Sequence, residues 1–157
     1  NEIIMSHLVD STIGHDVKVG PFARMRGHAF VEANNKVGNF VELKGAHLHD
    51  GVKSAHLTYL GDCEIGDRTN IGCGTITANY DGYNKSRTVI GKDVFVGSGS
   101  IIIAPLEVKD NAFIAAGSTL NKDVEEDALA IARSKQENKV GYSHIIKARA
   151  KAKKANK

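Results

Sequence analysis

One histidine and a neighbouring polar segment carry the side chains best suited to acid–base chemistry. His56 lies in the stretch SAHLTYLGD (residues 54–62), where Ser54 takes a position that an aliphatic residue fills elsewhere in the chain. An imidazole titrates near neutral pH, so it can remove a proton from an attacking group. The repeat described below makes the 19 residues from His56 to Thr75 about one turn of the structure. We therefore expect His56 near the base of the polar segment 77–89.

Segment 77–89 is polar in a way that suits ligand binding as well as solvent exposure. Six of its side chains can form hydrogen bonds or bind anions: Asn79, Tyr80, Asp81, Asn84, Lys85 and Arg87. A loop held by rigid structure on both sides is a favourable place for a site. Exposed loops are polar in any case, and Asp81-Gly82 alone is a turn signal, so both interpretations stand.

A pair of cations precedes these segments. Arg26 and Lys44 are 18 residues apart, which is one turn of the predicted structure, so their side chains can stack. A guanidinium fork beside an ammonium group makes a clamp for a phosphate or a carboxylate. Either cation alone would be an ordinary surface charge.

The elements that must position these residues follow a period of six. Aliphatic residues recur at this spacing. In two places the spacing is five residues instead of six, Ser54 takes one of the aliphatic positions, and the series is interrupted at segment 77–89. The series is Ile13, Val19, Met25, Val31, Val37, Leu43, Leu48, Ser54, Leu60, Ile65, Ile71, Ile90, Val96, Ile102, Val108, Ile114 and Leu120. Gly often follows the aliphatic residue, and a small or medium side chain comes four residues after it.

A period of six fits neither a helix nor an alternating strand, but it fits a short strand followed by a tight corner. Three such units make one triangular coil of about 18 residues, and coils stack roughly 4.8 Å apart. The sequence predicts an all-β parallel β-helix of about five coils over residues 1–124, interrupted by the loop 77–89. A β-sandwich would instead show irregular spacing of about 8–12 residues. Residues 125–157 are predicted to form a C-terminal arm and a basic tail. Within them, residues 126–135 are predicted to be a short helix or an irregular arm, and the end to be weakly helical or disordered.

Composition limits the function classes. The chain has 157 residues, 25% of them charged, with no apolar stretch long enough to span a membrane and no signal segment. Cys63 and Cys73 lack a zinc-ribbon or CxxC spacing, so a reduced, cytoplasmic setting is expected. Residues 145–157 carry six basic residues and no acid, which exceeds the net charge of +3 of the whole chain. The rest is therefore net acidic, and bulk charge does not favour a nucleic-acid binder.

The repeat resembles that of the hexapeptide-repeat acyltransferases, whose solenoid is a left-handed parallel β-helix. The segments GPFAR, GNFVELK, HLTYLGD, NIGCGTITANYDG, IGKDVFVGS and AAGST occur in this order over about residues 12–135. In that order they closely resemble the acetyltransferase domain of the bifunctional bacterial glucosamine-1-phosphate N-acetyltransferase/N-acetylglucosamine-1-phosphate uridyltransferases. The uridyltransferase half, for which Mg²⁺ would be expected, has no counterpart, and the sequence starts without Met. We therefore expect a fragment or an isolated domain. One departure is Arg26-Gly27-His28-Ala29, where family members commonly follow the arginine with Pro-Gly.

The resemblance implies acetyl transfer from acetyl-CoA to the amine of glucosamine 1-phosphate, giving N-acetylglucosamine 1-phosphate for UDP-GlcNAc and cell-wall precursors. It implies His56 as general base, Glu42 orienting its ring, Asn79 beside them, and the Cys73 backbone amide stabilising the oxyanion. The implied sugar-phosphate ligands are Arg26, Lys44, Tyr59, Asn70 and Lys85. The implied acetyl-CoA contacts are Cys73, Asn79, Tyr80, Ser98, Ala116 and Arg133. A homotrimer with CoA between neighbouring subunits is implied, and no metal is needed for the transfer.

Other functions remain open at this stage. The same fold could acylate serine, a different nucleotide sugar or an antibiotic, and Cys73 could act as a nucleophile through a covalent acyl intermediate. A zinc hydratase on the same solenoid would use His47, His49 and His56 as metal ligands; the alternative is that His47 and His49 simply point the same way off one strand. A purely structural solenoid is the third class.

Overall fold

The protein is a stack of very short strands followed by one helix. The structure, a computed structural model, describes residues 1–155. The first ten strands are β1 (Glu2–Ile3), β2 (His7–Leu8), β3 (Thr12–Ile13), β4 (Lys18–Val19), β5 (Arg24–Arg26), β6 (Phe30–Val31), β7 (Lys36–Lys44), β8 (His47–Leu48), β9 (Lys53–Gly61) and β10 (Cys63–Ile65). The remaining elements are β11 (Asn70–Ile71), β12 (Ile76–Ala78), β13 (Thr88–Ile90), β14 (Phe95–Val96), β15 (Ile101–Ile103), β16 (Leu106–Val108), β17 (Phe113–Ile114), β18 (Thr119–Leu120), β19 (Leu129–Ala130) and α1 (Tyr142–Ala155).

The strands build a three-sided column in which the paired strands run parallel, as the period of six predicts. The first face contains β1, β4, the start of β7, the start of β9, β11, β14, β17 and β19. The second face contains β2, β5, the end of β7, the end of β9, β12, β15 and β18. The third face contains β3, β6, β8, β10, β13 and β16. The strands β7 and β9 are long because each turns from the first face onto the second without a break.

The core is one cluster of inward side chains that runs through the stacked coils. Leu43, Leu60 and Ile65 are fully buried, and so is Ser54 in its aliphatic position. The aliphatic series therefore faces inward as predicted, with only Ile13 partly exposed. Removing one such Leu or Ile side chain from water stabilises the fold by about 1.5–3 kcal/mol.

The corners between the faces are made by residues in the left-handed region of the backbone. The first corner, between the first and second faces, has a positive φ at Phe22, Phe40, Leu57, Gly74, Gly99 and Gly117. Glycine makes this turn without strain, and it takes over from larger residues in the later coils. Glycine also permits close stacking: a Cβ on Gly97 would lie 2.4 Å from the backbone nitrogen of Ala116. The second corner lies between the second and third faces and includes Gly45 and Asp62.

Three expectations about extent need adjustment. Eight strands follow one another along the first face, so the described solenoid exceeds about five coils; it begins at β1 and pairing continues to β19. The strands β12 and β13 narrow the projecting loop from 77–89 to residues 79–87. The short helix expected at 126–135 is absent from that stretch, where β19 pairs with β17 instead. The division of the chain at residue 124 stays a prediction.

The basic end is helical as far as it is described. Helix α1 is rich in the helix formers Ala, Lys and Arg, and Lys153 and Lys154 lie in its last turn, where cations interact favourably with the helix dipole. None of its side chains is buried. The expectation of a weakly helical or disordered tail also covers residues 156–157, which lie outside the described residues. No helix among the described residues has the length and apolar character needed to cross a membrane.

Candidate active site

His56 stands on the first corner, held by a neutral amide. Its Nδ1 lies 3.1 Å from Oδ1 of Asn39, which is its register partner one coil earlier. The inward residues Ser54 and Thr58 fix the strand on either side, and the turn at Leu57 directs the chain from the first face onto the second. A proton on Nδ1 would be donated to Asn39 and would leave Nε2 free to accept another, so this contact suits a general base.

The next three coils of the same corner carry three of the predicted acetyl-CoA contacts. The Gly74 amide donates to the Leu57 carbonyl at 2.9 Å, so Cys73 stacks on His56. The Gly99 amide donates to Cys73 at 2.7 Å, and the Gly117 amide donates to Ser98 at 2.8 Å. We call this column of Cys73, Ser98 and Ala116 the corner ladder.

A cation lies at the end of the corner ladder. The Arg133 guanidinium donates through Nη1 to the carbonyl of Ala116 at 3.1 Å. The ladder and this cation together span three coil steps, or about 14 Å at roughly 4.8 Å per step. Cys73, Ser98, Ala116 and Arg133, four of the acetyl-CoA contacts that the resemblance implies, therefore lie in one column. Their role in binding acetyl-CoA stays a prediction.

Two of the predicted sugar-phosphate cations, Arg26 and Lys44, lie at the far edge of the second face, each bound to a carboxylate. Arg26 and Lys44 are register partners, which confirms the one-coil stacking expected from their spacing. Arg26 donates to Oε1 of Glu42 from Nε at 3.0 Å and from Nη2 at 2.8 Å. Lys44 Nζ donates to both carboxylate oxygens of Asp62 at 2.8 Å.

Asp62 is a central residue that the sequence reasoning missed. Its Oδ2 also accepts a short hydrogen bond from Nδ2 of Asn79, at the base of the projecting loop. Burial alone would raise the pKa of the Asp62 carboxyl, but hydrogen bonds from Lys44 and Asn79, with the charge of Lys85, hold that pKa below its usual value. The hydrogen bond to Asp62 in turn raises the pKa of Lys44. The spacing of 18 residues from Lys44 to Asp62 was the signal that could have found this residue.

The projecting loop returns on itself close to its base. Tyr80 and Lys85 form an antiparallel bridge, and the Ser86 amide donates to the Asn79 carbonyl at 2.9 Å. Oδ1 of Asp81 accepts from the amides of Tyr83 at 2.8 Å and Asn84 at 2.6 Å, which fixes the tip. Hydrogen bonds from these amides lower the pKa of Asp81. The loop thus holds Lys85 near Asp62, while the Tyr80 side chain is exposed.

Three predicted site residues do not meet the groups expected beside them within one chain. Glu42 binds Arg26 and is in register with Tyr59, so it does not reach the ring of His56. His56 is also far from the loop base, because the loop leaves from the second corner and His56 stands on the first. Along β9 from Leu57 to Gly61 this separation is about 13 Å, at roughly 3.3 Å per residue. Asn70 lies on the first face, away from Arg26 and Lys44.

The two cysteines have different surroundings. Cys63 is buried in the core, and burial raises the pKa of its thiol to about 12, so it stays a thiol at neutral pH. Cys73 is half-buried on the corner ladder. The amides on either side of it, those of Gly72 and Gly74, donate to Val96 and Leu57 at 2.9 Å.

Comparison with known proteins gives, first, a family-model match to part of the chain. Residues 87–122 match the family model described as bacterial transferase hexapeptide (six repeats). This stretch runs from the end of the projecting loop through β18, where the period of six is unbroken. These 36 residues are hexapeptide repeats, and the solenoid of parallel coils that contains them fits the left-handed β-helix expected from the resemblance.

The relatives are more specific. The chain is 53% identical over 138 residues to the bifunctional protein GlmU of Listeria monocytogenes serotype 4a, in an alignment that covers 88% of this chain and 30% of that protein. It is 56% identical over 137 residues to the bifunctional protein GlmU of Pseudomonas putida, again over 30% of that protein. The chain therefore spans less than a third of the length of these relatives. A solved structure, the polySia specific acetyltransferase NeuO, superposes with a TM-score of 0.57 over 96% of this chain and 95% of that chain, and its 15% identity supports the fold alone.

Proposed function

We propose that the chain transfers an acetyl group from acetyl-CoA to the amine of glucosamine 1-phosphate, in the synthesis of UDP-GlcNAc for the cell wall. The observation that carries the proposal is the first corner, where His56 and the corner ladder follow one another on successive coils. The corner thus has an imidazole at one end, a long, thin run of backbone groups and a cation at the other end. This arrangement suits acetyl-CoA, a thioester on an extended carrier that bears phosphates. The identity to the GlmU proteins supports the particular substrates.

In the proposed reaction His56 acts as the base. Its Nδ1–H donates to Asn39, and its Nε2 accepts the proton that the sugar amine loses as the amine nitrogen attacks the thioester carbon. The oxyanion that forms on the carbonyl oxygen accepts a hydrogen bond from the Cys73 amide. Breakage of the carbon–sulfur bond then releases the CoA thiolate, which takes the proton from the imidazolium. Asn39 thereby takes the orienting role that the sequence suggested for Glu42.

The phosphate of the sugar is proposed to bind at Arg26 and Lys44. Each keeps donors beyond those used on its own carboxylate, because a guanidinium has five N–H groups and an ammonium has three. Lys85 approaches the same point from the loop, where its charge already acts on Asp62. Tyr59 and Asn79 would bind the sugar and its acetyl donor from the same face, with Tyr80 exposed beside them.

The separation of the two halves within one chain favours a shared site. His56 and the sugar-phosphate cations lie on opposite edges of the second face. Lys44 is in register with Gly61, five residues after His56, which is at most about 17 Å at roughly 3.3 Å per residue. Apolar side chains remain exposed on both surfaces: Phe40 and Leu57 at the first corner, and Ile76, Ile101 and Ile103 on the second face. We propose that the chain forms a homotrimer in which the first corner of one copy packs against the second face of the next. Such packing would cover these apolar side chains and bring His56 to the neighbour's cations.

A substrate panel tests the proposal. The purified chain would be incubated with acetyl-CoA and separately with glucosamine 1-phosphate, glucosamine, serine and aminated nucleotide sugars, and CoA release would be followed. Acetylation of glucosamine 1-phosphate well above the other amines is expected. Acetylation of serine with none of glucosamine 1-phosphate would reject the substrate but keep the reaction class. Absence of acetyl transfer to every amine would leave a structural solenoid as the better account.

A further inference from the structure

A cluster of imidazoles and carboxylates lies on the third face, outside the proposed active site. His47 and His49 flank the buried Leu48, so both rings point outward from the same strand end. Glu32 follows β6 one coil earlier, and Glu64 lies in β10 one coil later. Because side chains alternate along a strand, His47 and His49 point outward together. Glu32 and Glu64 stack beside them on the neighbouring coils, so four side chains with metal-ligating atoms lie in one line across three coils.

Three ligand atoms of this cluster converge on one point. Oε1 of Glu32 lies 2.7 Å from Nε2 of His47 and 3.1 Å from Nδ1 of His49. Ligand atoms of these three residues all lie within 4.8 Å of one another. The two rings are stacked with centroids 4.1 Å apart, and Phe30 packs on His47 with centroids 4.8 Å apart. The side chains are therefore oriented before any ion arrives.

The fourth residue supports the ligands from outside. Nε2 of His49 lies 3.0 Å from Oε1 of Glu64, and the other oxygen of Glu64 accepts from Arg87 at 2.9 Å. Glu64 therefore contacts both the far ring nitrogen of His49 and the guanidinium of Arg87. A carboxylate on the far nitrogen of a metal-binding histidine fixes the ring and increases its basicity, as outer partners do in zinc sites.

The chemistry and the spacing suit a transition-metal ion. Two imidazole nitrogens and one carboxylate oxygen are a ligand set of zinc sites that keep the fourth position open. With metal–ligand distances of about 2.0–2.1 Å, tetrahedral ligands lie roughly 3.3 Å apart. The Glu32 oxygen, now 2.7 Å and 3.1 Å from the two ring nitrogens, therefore needs to move away from them by only about half an ångström or less. The ion would accept lone pairs from all three residues and leave Nε2–H of His49 to donate to Glu64.

We propose that Glu32, His47 and His49 bind one divalent transition-metal ion of the zinc class, with Glu64 orienting His49. His56 takes no part, so the site differs from the trio of histidines considered from the sequence. Because Glu32 and His47 belong to consecutive coils, the ion clamps the third face and stabilises the solenoid. The site is separate from the proposed acetyl-transfer residues, so either proposal can fail alone.

Metal titration of the full chain tests this inference. The protein, free of any affinity tag and dialysed against a chelator, would be titrated with Zn²⁺ in competition with a chromogenic chelator, and its thermal midpoint would be measured with and without Zn²⁺. One ion per chain with a micromolar or tighter dissociation constant is expected, together with a higher midpoint in zinc, since an ion bound only to the native state stabilises it.

Variants decide whether the ion binds at this cluster. His47→Asn with His49→Asn should abolish both the stoichiometric binding and the zinc-dependent rise in midpoint, and Glu64→Gln should weaken binding by roughly 10- to 100-fold. His7→Asn with His144→Asn, two exposed histidines elsewhere, should bind as the wild type does. If the cluster variant proves misfolded by circular dichroism, Glu32→Gln alone must weaken binding. Unchanged affinity in the cluster variants, or no stoichiometric binding by the wild type, would overturn the proposal.

Discussion

The two edges of the second face hold their functional groups by opposite means. At the first corner His56 contacts a neutral amide, and the groups beside it are backbone amides and carbonyls of closely stacked coils. At the second corner Lys44 is paired with Asp62, which Asn79 and the charge of Lys85 also reach. One edge is almost free of charge and the other is a network of charges.

This difference matches the two chemical tasks that we propose for the two edges. A base needs a ring nitrogen that can accept a proton, and the contact of Nδ1 of His56 with the neutral amide of Asn39 leaves Nε2 for that role. A phosphate needs cations whose positions are fixed in advance, and a carboxylate partner holds Lys44 or Arg26 in place. The comparison leads to distinct expectations for variants on each edge.

The largest effect is expected at the first corner. His56→Ala should lower kcat by roughly 10²- to 10⁴-fold with little change in the KM for glucosamine 1-phosphate, because it removes the general base but no phosphate contact. Steady-state kinetics with both substrates would measure this. His7→Ala, an exposed histidine in β2, is the matched control and should behave as wild type. Wild-type turnover in His56→Ala would remove His56 from the mechanism.

The second prediction tests whether the two edges meet across a subunit boundary. His56→Ala and Arg26→Ala chains, each impaired alone, would be co-refolded in equal amounts. If the first corner of one copy works with the second face of another, about a quarter of the sites regain both residues, and activity returns toward a quarter of the wild-type value. Activity that stays at the average of the two variants would mean that each site is built within one chain.

The second corner should show the opposite kinetic signature. Arg26→Ala should raise the KM for glucosamine 1-phosphate by roughly 10- to 100-fold, the usual range for losing a hydrogen bond to a charged group, and should change kcat less. Lys18→Ala on the first face, another partly paired surface cation, should leave the KM unchanged. A loss confined to kcat in Arg26→Ala would place this residue with the base instead of the phosphate.

The period of six was sufficient to predict the column and the stacking of its residues. Val37, Leu43 and Leu48 face inward where the repeat puts them, and the spacing of 18 residues correctly stacks Arg26 on Lys44. Such features depend only on backbone periodicity, which the sequence displays directly. The length of the solenoid was less predictable, because β1 and β19 are two-residue strands and the sequence around them barely follows the repeat.

Side-chain partners could not be obtained from the repeat. Glu42 is in register with Arg24 one coil earlier and with Tyr59 one coil later. Its hydrogen bonds to Arg26, two residues beyond Arg24, follow from local charge and rotamer, which periodicity does not encode. The repeat did allow the corner of His56 to be predicted. His56 comes two residues after an inward residue of the first face, so it lies at the first corner, whereas the loop follows a strand of the second face. Treating one coil as a single neighbourhood hid this difference.

The last prediction measures the charged edge through stability and pH. The pKa of Asp62 is lowered and that of Lys44 is raised, so their ion pair stabilises the fold above the ordinary carboxyl pKa of about 4 and below the ordinary lysine pKa of about 10.4. The contribution of Asp62 is lost as the pH falls through its folded pKa, and that of Lys44 is lost as the pH rises through its own. Asp62→Asn should therefore cost roughly 1–3 kcal/mol near pH 7, because it leaves Lys44, whose side chain is only 18% exposed, without a carboxylate.

The same substitution should flatten the decline of the thermal midpoint below about pH 4, where the wild type loses the contribution of the pair. Thermal melts from pH 2 to 9 would record both effects. Asp16→Asn is the matched control, since hydrogen bonding to His15 also lowers the pKa of Asp16, but both side chains are exposed. Exposed pairs contribute little because water screens them, so this control should follow the wild-type profile closely. Equal effects of the two substitutions would mean that the second corner is no more organised electrostatically than the rest of the surface.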